Sequence, residues 1–179
     1  MKTILSCTTT MILAATLAAA QTPAASETGY TATLRASWNS VKRFVVSSAE
    51  KMPDANYGFK PTPEVRSFGE LIGHLANEHY LLCSPLKGEK NPMADVDFEK
   101  KTAKADLVKA INDSIAYCDA AYAAVKDEPK TVAAFSETRK DTPFRVMLLN
   151  VTHDSEHYGN MITYLRMKGI VPPSSTPTR

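Results

Sequence analysis

Residues 142–169 read TPFRVMLLNVTHDSEHYGNMITYLRMKG, and this stretch defines the fold class. Thr142 followed by Pro143 is typical of a helix N-cap and a first-turn proline. Apolar side chains then recur every three or four residues, and Gly169 is a typical C-terminal stop. The pattern predicts a long amphipathic helix that runs from about Thr142 to Lys168.

Three further segments show the same helical periodicity, over residues 28–51, 67–85 and 104–126. The second begins with Ser67 and has Glu70 three residues later, which is the pattern of a capping box. No segment shows the alternation or β-branched enrichment of a strong strand candidate. The sequence therefore predicts an all-α protein, most simply a four-helix bundle.

The connection between the second and third helices is unusually long. If Pro85 marks the end of the second helix, about 20 residues separate it from the third, whereas antiparallel neighbours need only a few. We therefore expect a long crossover that leaves helices 2 and 3 parallel. In that arrangement Cys83 and Cys118 can reach each other and form a disulfide. The alternative is two separate buried thiols.

The first 20 residues resemble an export signal. Lys2 supplies a basic start, an apolar stretch follows, and three alanines provide a cleavage site. We expect a signal peptide over residues 1–20, a single domain over residues 21–179, and export to the periplasm or the exterior. A retained membrane anchor is the alternative. Export would leave Cys83 and Cys118 in an oxidising compartment, which favours a disulfide.

Composition limits the classes of partner. Apolar residues make up 44% and the formal net charge is +2, which fits a folded protein without a strongly basic surface. We expect no nucleic-acid partner and, once the leader is removed, no membrane partner. An unidentified small-molecule substrate is expected, and a homodimer is possible. The run formed by Glu99, Lys100 and Lys101 is interpreted as a solvated face.

Three of the four histidines could hold a metal ion. His153 and His157 are four residues apart, so their rings extend from one helix face and can bind one divalent cation. A third ligand has to come from a facing helix, where His74 is the candidate. His79 points roughly 140° away from His74 at helical spacing. If Val151 is the centre of the apolar stripe, the pair lies either at the edge of a cleft or on a solvated surface.

Other polar residues lie at helical spacing from these histidines. Glu78 follows His74 by one turn, so it could be a supporting carboxylate, a general base or a fourth ligand. Asn77 and Asn150 could orient a bound water. Arg66, just before the second helix, could anchor an anionic substrate. The alternative for Glu78, Asn77 and Asn150 is a solvated helix face, and for Arg66 it is an ordinary surface arginine.

Several motifs together resemble the DinB-like family of four-helix bundles with a three-histidine metal site. They are the GHLA of residues 73–76, the Thr142-Pro143 pair and the HxxxHYGN of residues 153–160. The resemblance extends from about residue 31 to residue 169 and includes the long connection. It implies three metal ligands: His74, His153 and His157.

The resemblance further implies a divalent cation, with zinc or nickel as the expected metal. Three nitrogen ligands leave at least one coordination position open, as in catalytic metal sites. The expected function is that of a metal-dependent hydrolase or transferase. The alternatives are a helical bundle that binds a metal or small ligand without turnover, and a purely structural bundle.

Overall fold

The protein is described by a computed structural model over residues 29–133 and 139–176. Its described residues form four long helices and one minimal antiparallel strand pair, β1 (Val132–Ala133) with β2 (Lys140–Asp141). Short 3-10 turns flank the helices. The predicted all-α four-helix bundle is confirmed, with the following helices: α1 (Tyr30–Lys51), α2 (Phe68–Lys87), α3 (Lys104–Ala124) and α4 (Pro143–Met167).

The predicted signal peptide over residues 1–20 lies outside the described residues. Among the helices of the described part of the chain, none combines the length and the apolar character needed to cross a bilayer.

The start of α2 agrees with its sequence motif, but its end does not. Ser67 Oγ accepts a hydrogen bond from the Glu70 amide at 3.2 Å, and the Glu70 carboxylate accepts one from the Ser67 amide at 2.6 Å. The prediction that Pro85 ends α2 is wrong, because the helix continues to Lys87. A proline so near the end removes only one backbone hydrogen bond, and Gly88, with a φ of 72°, provides the left-handed C-cap.

The helices α2 and α3 are parallel, as the long connection predicted. Ser114 on α3 lies 2.9 Å from the ring of His79 on α2, and Cys118 forms a disulfide with Cys83 farther along both helices. Contacting residues therefore advance together along the two helices. The predicted disulfide is present, and it links the two helices across the crossover.

The helix α4 packs parallel to α1. Tyr30 contacts Phe144 at the start of both helices, and Phe44 stacks on Tyr158 farther along. Aromatic contacts therefore join the two helices at both of these levels.

Against α2, by contrast, α4 is antiparallel. Phe68 at the start of α2 contacts Tyr164 near the end of α4, while Cys83 lies beside Asn150. One pair of parallel helices thus faces the other pair, with the core between them. Its largest fully buried side chains are Trp38, Tyr122, Phe68, Met52, Ile72, Leu75, Leu82, Leu107, Ile111, Met147, Met161 and Leu165.

The buried face of α4 is rotated relative to the apolar stripe expected around Val151. Phe144 is 42% exposed, whereas Asn150 and Asp154 are fully buried and His157 is also buried. Val151 is itself buried, but the centre of the buried face is displaced toward Asn150 and Asp154, because the expected stripe counted only apolar side chains. Polar residues can occupy the buried face when partners across the bundle satisfy them.

We expect the disulfide to provide a large part of the stability of the bundle. Replacing Cys83 and Cys118 together by alanine removes a link that spans 35 residues in sequence, which should lower the free energy of unfolding by about 3–4 kcal/mol. Urea denaturation of the double variant and of the oxidised wild type measures this difference. Wild-type protein unfolded under reducing conditions is the control. A loss below about 1 kcal/mol would contradict the expectation.

Candidate metal centre

The structure brings the three predicted histidine ligands together. His74 extends from α2, and His153 and His157 extend from adjacent turns of α4. The Nε2 atom of His153 lies 3.3 Å from Nε2 of His74 and 3.1 Å from Nε2 of His157. One ring nitrogen from each residue lies within 4.8 Å of the others. The cluster is formed across the interface of two antiparallel helices.

These distances and donor types fit a divalent cation. Two nitrogens that bind one zinc ion at about 2.0–2.1 Å with tetrahedral angles are about 3.3–3.4 Å apart. The observed separations of 3.1 and 3.3 Å are close to that value. Three imidazoles are also the ligand set found in catalytic zinc sites, where a fourth position stays open to water or substrate.

Burial and the neighbouring rings keep His153 and His157 unprotonated. Burial, followed by repulsion from His157 and His74, lowers the pKa of His153 to about 4. Burial also lowers the pKa of His157, with repulsion from His74 as the next cause. Both rings are therefore neutral at neutral pH, which is the form that binds a metal ion.

A carboxylate that the sequence analysis assigned to a solvated face supports the site. His74 Nδ1 donates a hydrogen bond to Glu99 Oε1 at 2.8 Å, which directs the Nε2 lone pair of His74 toward the other two histidines. The other carboxylate oxygen of Glu99 accepts from Arg66 Nε at 2.9 Å. Glu78 was expected in this role. It is partly buried, and its side chain makes no hydrogen bond or ion pair within the described residues.

Asn77 holds the turn that contains Glu99. Its side-chain oxygen accepts from the Phe98 amide at 3.0 Å, and its nitrogen donates to Asp97 at 3.1 Å. Gly73 lets this turn approach α2, because a Cβ at that position would collide with the Phe98 backbone. Asn77 therefore positions Glu99 through the backbone, a role different from the expected orientation of a bound water.

Asn150 lies elsewhere in the core. Its side-chain nitrogen is 3.3 Å from the Tyr122 hydroxyl and about 4 Å from the sulfurs of Cys83 and Cys118. The expectation that Asn150 orients a water beside the histidines does not fit these contacts. Asn150 is three residues before His153, so helical spacing suggested that the two side chains are neighbours. The side chain of Asn150 instead faces the interior between α2 and α3.

A cleft of about 540 Å³ opens beside the histidine cluster. His157 and Glu99 line one part of it, and the loop of residues 60–66, the start of α2 and the end of α4 line the rest. Asn160 also lines this cleft, with its side-chain nitrogen 3.4 Å from His157 Nδ1. The sequence analysis assigned no role to Asn160, although its position three residues after His157 places it on the same helix face. The cleft gives a small molecule access to the cluster.

The fold and the cluster define a class of protein, the four-helix bundles with a triad of histidines that could hold a divalent metal ion. Comparison with known families identifies the family to which this chain belongs. The sequence model of the DinB superfamily matches residues 33–161, which is more than half of the chain, and this protein therefore belongs to the DinB superfamily.

A solved structure has the same fold. The DinB-like protein from Bacillus cereus ATCC 10987 superposes with a TM-score of 0.63 at 14% sequence identity, over 78% of this chain and 93% of that chain. A search of curated proteins found no match.

We expect Glu99 to strengthen metal binding through His74. Glu99→Gln should weaken zinc affinity by about 10- to 100-fold, because the neutral amide makes the imidazole a weaker and less well oriented ligand. Competition titration against a zinc chelator measures the change. Glu78→Gln is the matched control and should bind zinc like the wild type. Equal affinity in the Glu99 variant would show that this contact does not support the site.

Two helical glycines should respond in opposite ways to alanine. Gly73→Ala should destabilise the fold by roughly 1–3 kcal/mol, since the new Cβ displaces the turn that contains Glu99. Gly159→Ala should stabilise it by roughly 0.5–1 kcal/mol, because its Cβ meets open space in a helix. Urea denaturation measures both effects. A stable Gly73→Ala variant with wild-type zinc affinity would contradict this account of the turn.

Proposed function

We propose that this DinB superfamily protein binds one divalent cation, zinc or nickel, through His74, His153 and His157, and acts as an exported metal-dependent hydrolase or transferase. The observation that supports the metal site is the position of His153 Nε2, which lies 3.3 Å from Nε2 of His74 and 3.1 Å from Nε2 of His157, in a cluster whose ligand atoms all lie within 4.8 Å of one another.

The surrounding residues suit chemistry on a small molecule. A bound divalent cation supplies a Lewis acid and lowers the pKa of water or another ligand. His74 is held in one tautomer by Glu99, and the rings of His153 and His157 are fixed by their positions on one helix. The adjacent cleft of about 540 Å³ has the volume of a small-molecule site.

A bundle that binds metal or a small ligand without turnover is the second candidate, and two of the three carboxylates that line the cleft favour it, the third being the exposed Glu64. Glu99 is engaged by His74 and Arg66, and Glu70 by Lys60 and its own helix cap. Neither is placed as a free general base. Comparing metal-loaded and metal-free protein in a hydrolase and transferase screen distinguishes turnover from binding alone.

Export is supported by the disulfide. Cys83 and Cys118 are fully buried and joined, and such a bond forms and persists in an oxidising compartment. The apolar start of the sequence agrees with this location.

Metal content is the direct test of the proposal. Mature protein purified without a histidine tag should contain about one zinc or nickel ion per chain, as measured by elemental analysis. His153→Ala should lose the ion because it removes the ligand whose Nε2 lies between the other two.

The matched control for this test is Glu156→Gln. Glu156 is exposed on the same helix, next to His157, and its replacement should leave the metal content unchanged. Wild-type protein that lacks metal and also fails to take up added zinc and nickel would rule out the metalloprotein proposal.

A further inference from the structure

We infer that the small molecule bound at this site contains a carboxylate, and that Arg66 binds this carboxylate beside the metal centre. The inference rests on the proposed function, because it describes what the cleft next to the three histidines accepts. Arg66 would then be the residue that selects the substrate and fixes its orientation.

Arg66 is held in place on two sides. Its Nε donates to Glu99 at 2.9 Å, and its backbone oxygen accepts a hydrogen bond from the Tyr164 hydroxyl on α4 at 2.6 Å. Glu99 in turn bonds to the metal-ligand candidate His74. A chain of direct contacts therefore fixes the guanidinium relative to the histidine cluster, although the residue lies in a loop.

The free edge of the Arg66 guanidinium is available to a ligand. The side chain is 42% exposed and lines the cleft. Its two terminal nitrogens have no hydrogen-bond partner within residues 29–133 and 139–176, since Glu99 occupies only Nε. A planar pair of N–H donors matches the two oxygens of a carboxylate, which gives a bidentate contact with a defined geometry.

The charge balance of the cleft favours an anion. Lys60 forms an ion pair with Glu70 at 3.1 Å, and Arg66 forms one with Glu99, so these four charges cancel in pairs. The three histidine ligands are neutral when they bind metal. Glu64 also lines the cleft and adds one negative charge. One of the two positive charges of a bound divalent cation would therefore remain uncompensated at the cleft, and it would attract an anionic ligand.

These features together predict a two-point contact. One atom of the substrate would occupy the open coordination position, and its carboxylate would bind the terminal nitrogens of Arg66. Acetate offers a single carboxylate and can contact the metal or the arginine, whereas a diacid of suitable length can contact both. The preference for a second carboxylate therefore measures the contribution of Arg66 apart from that of the metal.

Zinc-loaded protein and simple acids test this inference. Isothermal titration calorimetry compares acetate with malonate, succinate and glutarate, whose second carboxylate lies at increasing distances from the first. We expect at least one diacid to bind roughly tenfold more tightly than acetate to the wild type. Arg66→Gln should reduce that preference to about twofold or less and leave acetate affinity unchanged.

The matched control is Arg43→Gln, the same substitution at an exposed arginine that lines a groove between α1 and Ile115. It should keep the full preference for the diacid. A preference that survives in the Arg66 variant, or a wild type that binds no diacid better than acetate, would overturn the inference.

Zinc content is measured on every sample, with zinc in excess, because Arg66 also contacts Glu99. Failure of the wild type to hold zinc would reject the proposed metal site. Full zinc loading without dependence on Arg66 would reject only the carboxylate contact. The two failures are therefore distinguishable.

Discussion

The histidine cluster depends on the buried contact between His79 on α2 and Asp154 on α4. Both side chains are fully buried, with Nε2 of the ring 3.0 Å from the carboxylate, and the other ring nitrogen lies 2.9 Å from Ser114 on α3. Burying such polar groups without partners is costly, so a different register of α2 against α4 is disfavoured. Because Asp154 follows His153 directly, and His79 lies little more than one turn after His74, this register brings the two metal-ligand candidates together.

The crossover between α2 and α3 also contributes a residue to the histidine site. A parallel α2 and α3 require the chain to return along the outside of the bundle, and this return passes over α2 at the level of His74. Gly73 permits the close approach, and Asn77 fixes the backbone of the passing turn. Glu99 thereby reaches His74 from a short 3-10 turn, Phe98–Lys100, that is distant in sequence.

A structural feature could be predicted from the sequence where the residues that determine it are close together along the chain. Caps and periodicity are local, so they predicted the four helices, and the i, i+4 spacing predicted that His153 and His157 share a face. The supporting carboxylate could not be found in this way. Helical spacing pointed to Glu78 because it considers only the helix of His74, whereas Glu99 comes from another segment. Asp154 was missed for a similar reason, since only its partner across the bundle explains why a charged residue is buried.

The four histidines are of two kinds, which differ in the hydrogen-bond partners of their ring nitrogens. Both nitrogens of His79 have partners, as expected of a histidine that stabilises a core. In the cluster, Nδ1 of His74 donates to Glu99, so its Nε2 is an acceptor that faces His153. One hydrogen on Nε2 of His153 would have to serve both neighbouring rings, while its buried Nδ1 has no partner within the described residues. These contacts leave ring nitrogens of the cluster without adequate hydrogen bonds. The cluster is therefore suited to a cation that accepts one lone pair from each of the three rings.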